Sequence, residues 1–225
     1  MRPLNILFNN YIFQIIFYSL ALATLINGQN IIDGTNGLSA LTSLSIFGSL
    51  LYIGVYLNDY EIINICLIMI ALIISFLLFN YPFGKIFLGD TGSYFLGLLA
   101  GYLTIKIFGS YKSLSSYSAV VIVFYPCLEI VFSYLRRIFN KKSPFVADDL
   151  HLHYKLYYFI KGDKKPSRLY NALVAPLLGI IWISPLALVP FTVNIPYLSI
   201  IAVIILIIIY LFIYFLIPSP KKLEN

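Results

Sequence analysis

Seven long apolar runs divide the chain, at Ile6–Ile26, Leu38–Leu57, Ile62–Phe79, Ser93–Phe108, Tyr117–Leu135, Leu169–Pro190 and Tyr197–Ile217. Within each run the apolar residues are continuous rather than alternating, which fits helices and not the strands of a barrel. About 20 residues at 1.5 Å rise cross a hydrocarbon core of ~30 Å. The pattern therefore predicts an all-α polytopic membrane bundle of about seven transmembrane helices. It also predicts one integral membrane domain over residues 1–225, with no internal repeat and no soluble domain. The first run is too long for the apolar core of a signal peptide and lacks a small-residue cleavage site.

The polar interruptions are uneven. The longest, Arg136–Arg168, reads as a loop of about thirty residues, a length that in a compact protein is usually functional. It holds Arg136, Arg137, Lys141, Lys142, Lys155, Lys161, Lys164, Lys165 and Arg168. Cationic loops stay on the cytoplasmic side, so this segment is expected there. Counting spans outward puts Asn27–Gly37, Asn80–Asp90 and the tail with Lys221 and Lys222 on the same side. Arg2, Asn58–Glu61, Lys112 and Asn194 fall on the other.

Composition agrees with burial in lipid. The chain is 60% hydrophobic and 11% charged, against roughly 25% charged in a soluble domain. Its net charge of +6 follows from the loop asymmetry, and nucleic acid is not an expected partner. Cys66 and Cys127 lie inside apolar runs and read as packing residues rather than a disulfide or metal ligands.

Three stretches carry candidate chemistry. Phe79–Ser93 contains Lys85, Gly84, Gly89, Asp90 and Gly92 where a connector would need only a tight turn. Asp90 at the foot of the next run suits a cation or phosphate site, with glycines that let a ligand approach the backbone. A simple helix cap is the competing reading. In Asn27–Leu38, the residues Asn27, Asn30, Asp33 and Asn36 recur every three positions. If the first helix continues, they form one polar stripe suited to a nucleotide or sugar, more than a C-cap followed by an N-cap requires. Near the long loop, Glu129 lies inside an apolar run and is either functional or a partner of Arg136 or Arg137. His151 and His153 point the same way if the segment is extended, and suit a metal or phosphate oxygens. Zinc is not expected, because no further Cys or His completes four ligands.

Taken together, NGQNIIDGTNGL at Asn27–Leu38, FNYPFGKIFLGDTGSYFLG at Phe79–Gly97 and SPFVADDLHLHYKL at Ser143–Leu156 resemble the polyprenyl-phosphate N-acetylhexosamine-1-phosphate transferase family. The resemblance covers essentially the whole chain. It implies transfer of a sugar-1-phosphate from a UDP-sugar to a polyprenyl (undecaprenyl) phosphate, with release of UMP, in bacterial envelope polysaccharide synthesis. It implies Mg²⁺, with Mn²⁺ as a substitute. By match to the family motifs, Asp90 is the metal ligand and Asp90 and Asp33 are the catalytic carboxylates. Asn27, Asn30, Asn36, Lys85, Arg137, His151 and His153 are the substrate-binding set. The resemblance also implies a multi-pass protein of the bacterial inner membrane with its motif loops in the cytoplasm, and a homodimer is a candidate assembly. The sequence departs from the pattern at Asn36, Tyr154 and Lys155, where the family usually has aspartate, histidine and arginine. The family's upstream aspartate pair is not found before Asn27, so the N-terminal part is expected to be lacking. The alternative is a non-catalytic membrane binding or scaffold protein derived from the same fold.

Overall fold

The computed structural model describes residues 10–141, 143 and 149–219. It is helical, with no strand among these residues. The helices are α1 (Tyr11–Ile31), α2 (Leu38–Leu57), α3 (Tyr60–Asn80), α4 (Gly89–Ser110), α5 (Ser116–Ile122) and α6 (Phe124–Phe139). They continue with α7 (Leu152–Lys161), α8 (Arg168–Leu177), α9 (Gly179–Trp182), α10 (Ser184–Thr192) and α11 (Pro196–Leu216). Five stretches are long and apolar enough to cross a membrane, and two bent helix pairs raise the number to seven. Side chains such as Leu78 (74% exposed) and Phe215 (73%) stand on the outside, as expected where the surrounding medium is hydrocarbon rather than water. The chain is thus a multi-pass membrane protein.

The expected straight fifth span is two helices, α5 and α6, that meet at 81°. Pro126 explains the break. Lacking an N–H, it cannot bond the Ile122 carbonyl, and its ring crowds that carbonyl. The expected sixth span is also bent, by 46° at Leu178. Pro176 lies just before the bend, and the Trp182 indole N–H donates to the Ala175 carbonyl at 2.7 Å, satisfying a carbonyl at the break. The presumed thirty-residue loop is not all loop. α6 runs through Arg136 and Arg137 to Phe139, and α7 folds from Leu152 to Lys161.

Two apolar clusters hold the bundle together. One joins α2, α3 and α4 through Phe47, Leu50, Cys66, Leu103 and Ile107. The other joins α6, α7, α8 and α11 through Tyr125, Leu152, Val174 and Tyr210. Small residues let α1 pack closely on its neighbours: a Cβ on Gly97 of α4 would sit 2.8 Å from the Ile26 Cα, and one on Gly28 would collide with the Pro126 carbonyl of α6. The ends of the helices fall into two layers. At one end, Asp59 caps α3 and accepts a hydrogen bond from Tyr111 at 2.7 Å, while Lys106 pairs with Glu61 at 2.6 Å. At the other end lie the junctions α1–α2 and α3–α4, and α7.

Candidate functional site

The second end is built by interlocked loops. α1 stops at Ile31 and passes through a 3-10 turn, Ile32–Gly34, before Gly37 takes φ +80° to open α2. The four polar residues of this stretch therefore do not form one helical stripe. Asn27 is exposed and turns its amide back to the Ala23 carbonyl of its own helix, at 2.7 Å. Asn30 reaches α4, donating to Asp90 Oδ1 at 2.9 Å and Ser93 Oγ at 3.0 Å. Asn36 donates to the Pro82 carbonyl at 3.0 Å, and its own N–H is held by Asn171 Oδ1 at 2.6 Å. Three of the four residues thus converge on the Asn80–Ser93 segment.

Asp33 and Asp90 come together there. The Gly89 backbone N–H faces the Asp33 carboxylate, and the charge of Asp90 acts on it directly. Asp90 is not a helix cap. Leu88 occupies that position, and Asp90 lies in the first turn of α4, where the free N–H groups and the helix dipole favour an anion. Lys85 is exposed in the connecting loop. That loop is fixed by Asn80, a buried residue that sequence reasoning did not single out. Its oxygen accepts from Gly37 N–H at 2.7 Å, and its amide donates to the Ile86 carbonyl at 2.8 Å.

The histidines approach from the other side. The segment is not extended at His153: His151 is the N-cap of α7 and His153 lies in its first turn. Their rings are nonetheless near parallel, 14° apart with centroids at 5.9 Å. Both are buried rather than surface residues. A Cβ on Gly34 would lie 2.6 Å from His153 Nε2 and 2.8 Å from the Tyr154 hydroxyl, so the residue following Asp33 is packed directly on the histidine motif. Among the described residues neither nitrogen of His153 has a hydrogen-bond partner. Burial pushes its pKa down to about 4, against the pull of the Glu129 charge.

α7 is anchored from below. Glu129 bonds His151 Nδ1 at 3.1 Å, Leu152 N–H at 2.9 Å and the Tyr210 hydroxyl at 2.9 Å. This is the partner set the sequence left open between function and Arg136 or Arg137. Arg136, the neighbour of the predicted Arg137, donates to the Leu150 carbonyl at 2.6 Å and to the Tyr214 hydroxyl at 2.7 Å. Lys155, buried in α7, donates to the Tyr214 carbonyl at the end of α11 at 2.8 Å, where a cation also favours the helix dipole. Burial, and then the nearby Arg136 charge, hold its pKa below the ordinary lysine value. Asp148, Lys142 and the tail lysines lie outside the described residues.

The hard oxygen donors that meet here are the two carboxylates, with the Asn30 NH2 group bonded to one of them. Among the described residues no group of three or more His, Cys, Asp or Glu is placed to hold a metal by itself. One or two carboxylates is the complement Mg²⁺ usually takes from a protein when substrate phosphates and water complete its shell, so the residues present fit that ion. The unpartnered His153 nitrogens mark the adjoining wall as polar.

A polytopic α-helical membrane protein with a carboxylate and histidine site across the ends of its helices is the class defined by this architecture. Residues 2–108, just under half of the chain, match the sequence profile of glycosyl transferase family 4. It is 33% identical over 159 residues to a Bacillus subtilis protein described as a probable undecaprenyl-phosphate N-acetylglucosaminyl 1-phosphate transferase; the match covers 69% of this chain and 42% of that protein. It is 34% identical over 139 residues to a Thermotoga maritima undecaprenyl-phosphate alpha-N-acetylglucosaminyl 1-phosphate transferase, covering 62% of this chain and 42% of the relative. A Campylobacter jejuni phospho-N-acetylmuramoyl-pentapeptide-transferase is 33% identical over 169 residues, covering 66% and 46%. The chain thus spans less than half the length of these relatives. No solved structure matches it.

Proposed function

We propose that this chain carries the nucleotide-sugar site of a phosphoglycosyltransferase, which moves an N-acetylhexosamine-1-phosphate from a UDP-sugar to a polyprenyl phosphate. In that reaction an oxygen of the lipid phosphate bonds to the phosphorus bearing the sugar. The bond from that phosphorus to the bridging oxygen breaks, and UMP leaves with that oxygen. The observation that carries the reading is the meeting of Asp33, Asp90 and Asn30 with the His151–His153 motif at one end of the helical bundle. Both substrates are phosphates, one soluble and one anchored in the bilayer, and only a site at the bilayer surface serves both.

Asp90 and Asp33 would hold Mg²⁺, which supplies charge neutralisation of the diphosphate and leaving UMP. Asn30 keeps Asp90 aimed. Asn36, His151 and His153 line the polar wall available to the sugar and phosphates. Lys85 and Arg137 add positive charge on the same side. The names of all three relatives contain an N-acetylated amino sugar, and two of them name undecaprenyl phosphate, which supports those substrate classes. The site end bears Lys85, Arg136, Arg137, Lys155, Lys161, Lys164, Lys165 and Arg168, against Lys106 and Lys112 at the other, which supports a cytoplasmic site by the distribution of basic residues.

The test is UMP release from UDP-N-acetylglucosamine by the protein in nanodiscs containing undecaprenyl phosphate, with a parallel binding measurement. Lipid- and Mg²⁺-dependent UMP release supports the transferase. Mg²⁺-dependent binding without release supports the binding-protein alternative. Neither binding nor release overturns the site assignment.

A further inference from the structure

We infer that Glu129 is a positioning residue that fixes His151 so that Nε2, and never Nδ1, is the nitrogen offered to a ligand. This rests on the proposed transferase reading only for the identity of that ligand, a phosphate or hydroxyl of the nucleotide sugar.

Glu129 is fully buried in α6, just beyond the break that Pro126 makes. A carboxylate there is costly unless its oxygens are bonded, and both are. Oε1 takes His151 Nδ1 and the Leu152 backbone N–H, and Oε2 takes the Tyr210 hydroxyl. A carboxylate can only accept, so Nδ1 carries the proton and Nε2 is left with its lone pair in the neutral ring or its second N–H in the charged one. In either charge state the same nitrogen faces away from Glu129. The constraint is rigid because each partner is itself fixed. Leu152 N–H belongs to the first turn of α7, so one oxygen sets both the start of that helix and the ring of its cap residue. Tyr210 is fully buried in α11 and packs edge-on against Phe132. The near-parallel stacking of His151 on His153, which is itself packed on Gly34, then carries the orientation to the carboxylate loop.

The protein has two histidines, so ¹⁵N-histidine NMR in nanodiscs reads this directly, with His153→Asn giving the assignment. The expected spectrum shows His151 protonated at Nδ1. Glu129→Gln, which retains an acceptor oxygen, keeps that tautomer, and Glu129→Leu releases it toward the commoner Nε2–H form. Tyr210→Phe, which removes only the Oε2 bond, leaves the tautomer unchanged. Wild-type His151 protonated at Nε2, or Glu129→Leu with an unaltered His151 spectrum, overturns the inference; the wild-type result decides even if a variant fails to fold. Adding Mg²⁺ and UDP-N-acetylglucosamine should move the Nε2 signal and not Nδ1. A shift at Nδ1 instead overturns the inference, whereas a locked ring insensitive to the nucleotide sugar sinks the proposed function and leaves the lock standing.

Discussion

A methyl group on Gly34 would stand 2.6 Å from Nε2 of His153, so the carboxylate loop and the histidine motif are packed at van der Waals limits. The Tyr154 hydroxyl, at 2.8 Å from the same point, is the tip of a side chain and can swing aside. His153 is fully buried and cannot do so without moving α7. Gly34→Ala should therefore cost about 1–3 kcal/mol of stability through overpacking. It should also lower transfer more than that loss explains, because the displaced ring belongs to the site. Thermal unfolding in nanodiscs together with UMP release checks both parts. Wild-type activity in a folded Gly34→Ala protein would show that the contact does not matter.

Asn30 and Asp90 join α1 to α4 through one hydrogen bond of 2.9 Å. If Asp90 holds the metal, Asp90→Asn removes an interaction worth several kcal/mol, and UMP release should fall at least about a hundredfold. Asn30→Ala leaves the carboxylate in place but free to turn. A hydrogen bond to a charged group is worth about 1.5–3 kcal/mol, so a loss of roughly tenfold or more is expected. EDTA should abolish turnover and added Mg²⁺ restore it. An Asp90→Asn enzyme with near-normal rates would remove the metal assignment.

Much of this was legible in the sequence because lipid imposes a simple rule: each span must satisfy its own backbone, so it shows as an unbroken apolar run. The run from Tyr117 to Leu135 is unbroken in hydropathy, yet it contains an 81° bend. Apolarity records burial and not direction, and Pro126 was the available signal. The helix Leu152–Lys161 was hidden by its Lys, His and Tyr residues. Its buried positions Leu152, Lys155 and Leu156 follow helical spacing, which would have revealed it had lysine been allowed a buried role. Asp33, Asp90 and the two histidines stood out because charge is scarce in such a chain. Asn80 and Asn171 did not, since an amide at a helix end looks like any cap until its partner, tens of residues away, is known.

Asn80 should matter as much to folding as to chemistry. It is buried and bridges two loops, accepting from Gly37 N–H and donating to the Ile86 carbonyl. Asn80→Ala strands both groups, at about 1–3 kcal/mol each if they remain dry. Asn80→Asp keeps the Gly37 bond but turns an acceptor toward the Ile86 carbonyl, and should be no better than alanine. A fall in unfolding temperature for both variants, with Asp90→Asn near wild type in the same assay, would separate this scaffold role from the chemical one. Equal stability of Asn80→Ala and wild type would refute it.

His153 sets a limit on acid tolerance. Burial lowers its pKa from the ordinary 6.5 to about 4, so the folded protein keeps it neutral where the unfolded chain protonates it. Between those values the unfolded state binds more protons, and stability must rise with pH across the window. Conversely, stability is complete above about pH 6.5 and is lost as pH falls toward 4. The full difference is on the order of 3 kcal/mol. Below pH 4 both states are protonated, and this group adds no further slope. Unfolding measured in nanodiscs from pH 7 to pH 4 should show the decline, and His153→Leu should flatten it without altering stability's dependence on pH above 7. An equally steep decline in His153→Leu would place the acid sensitivity elsewhere and would mean that the histidine is not held neutral by its burial.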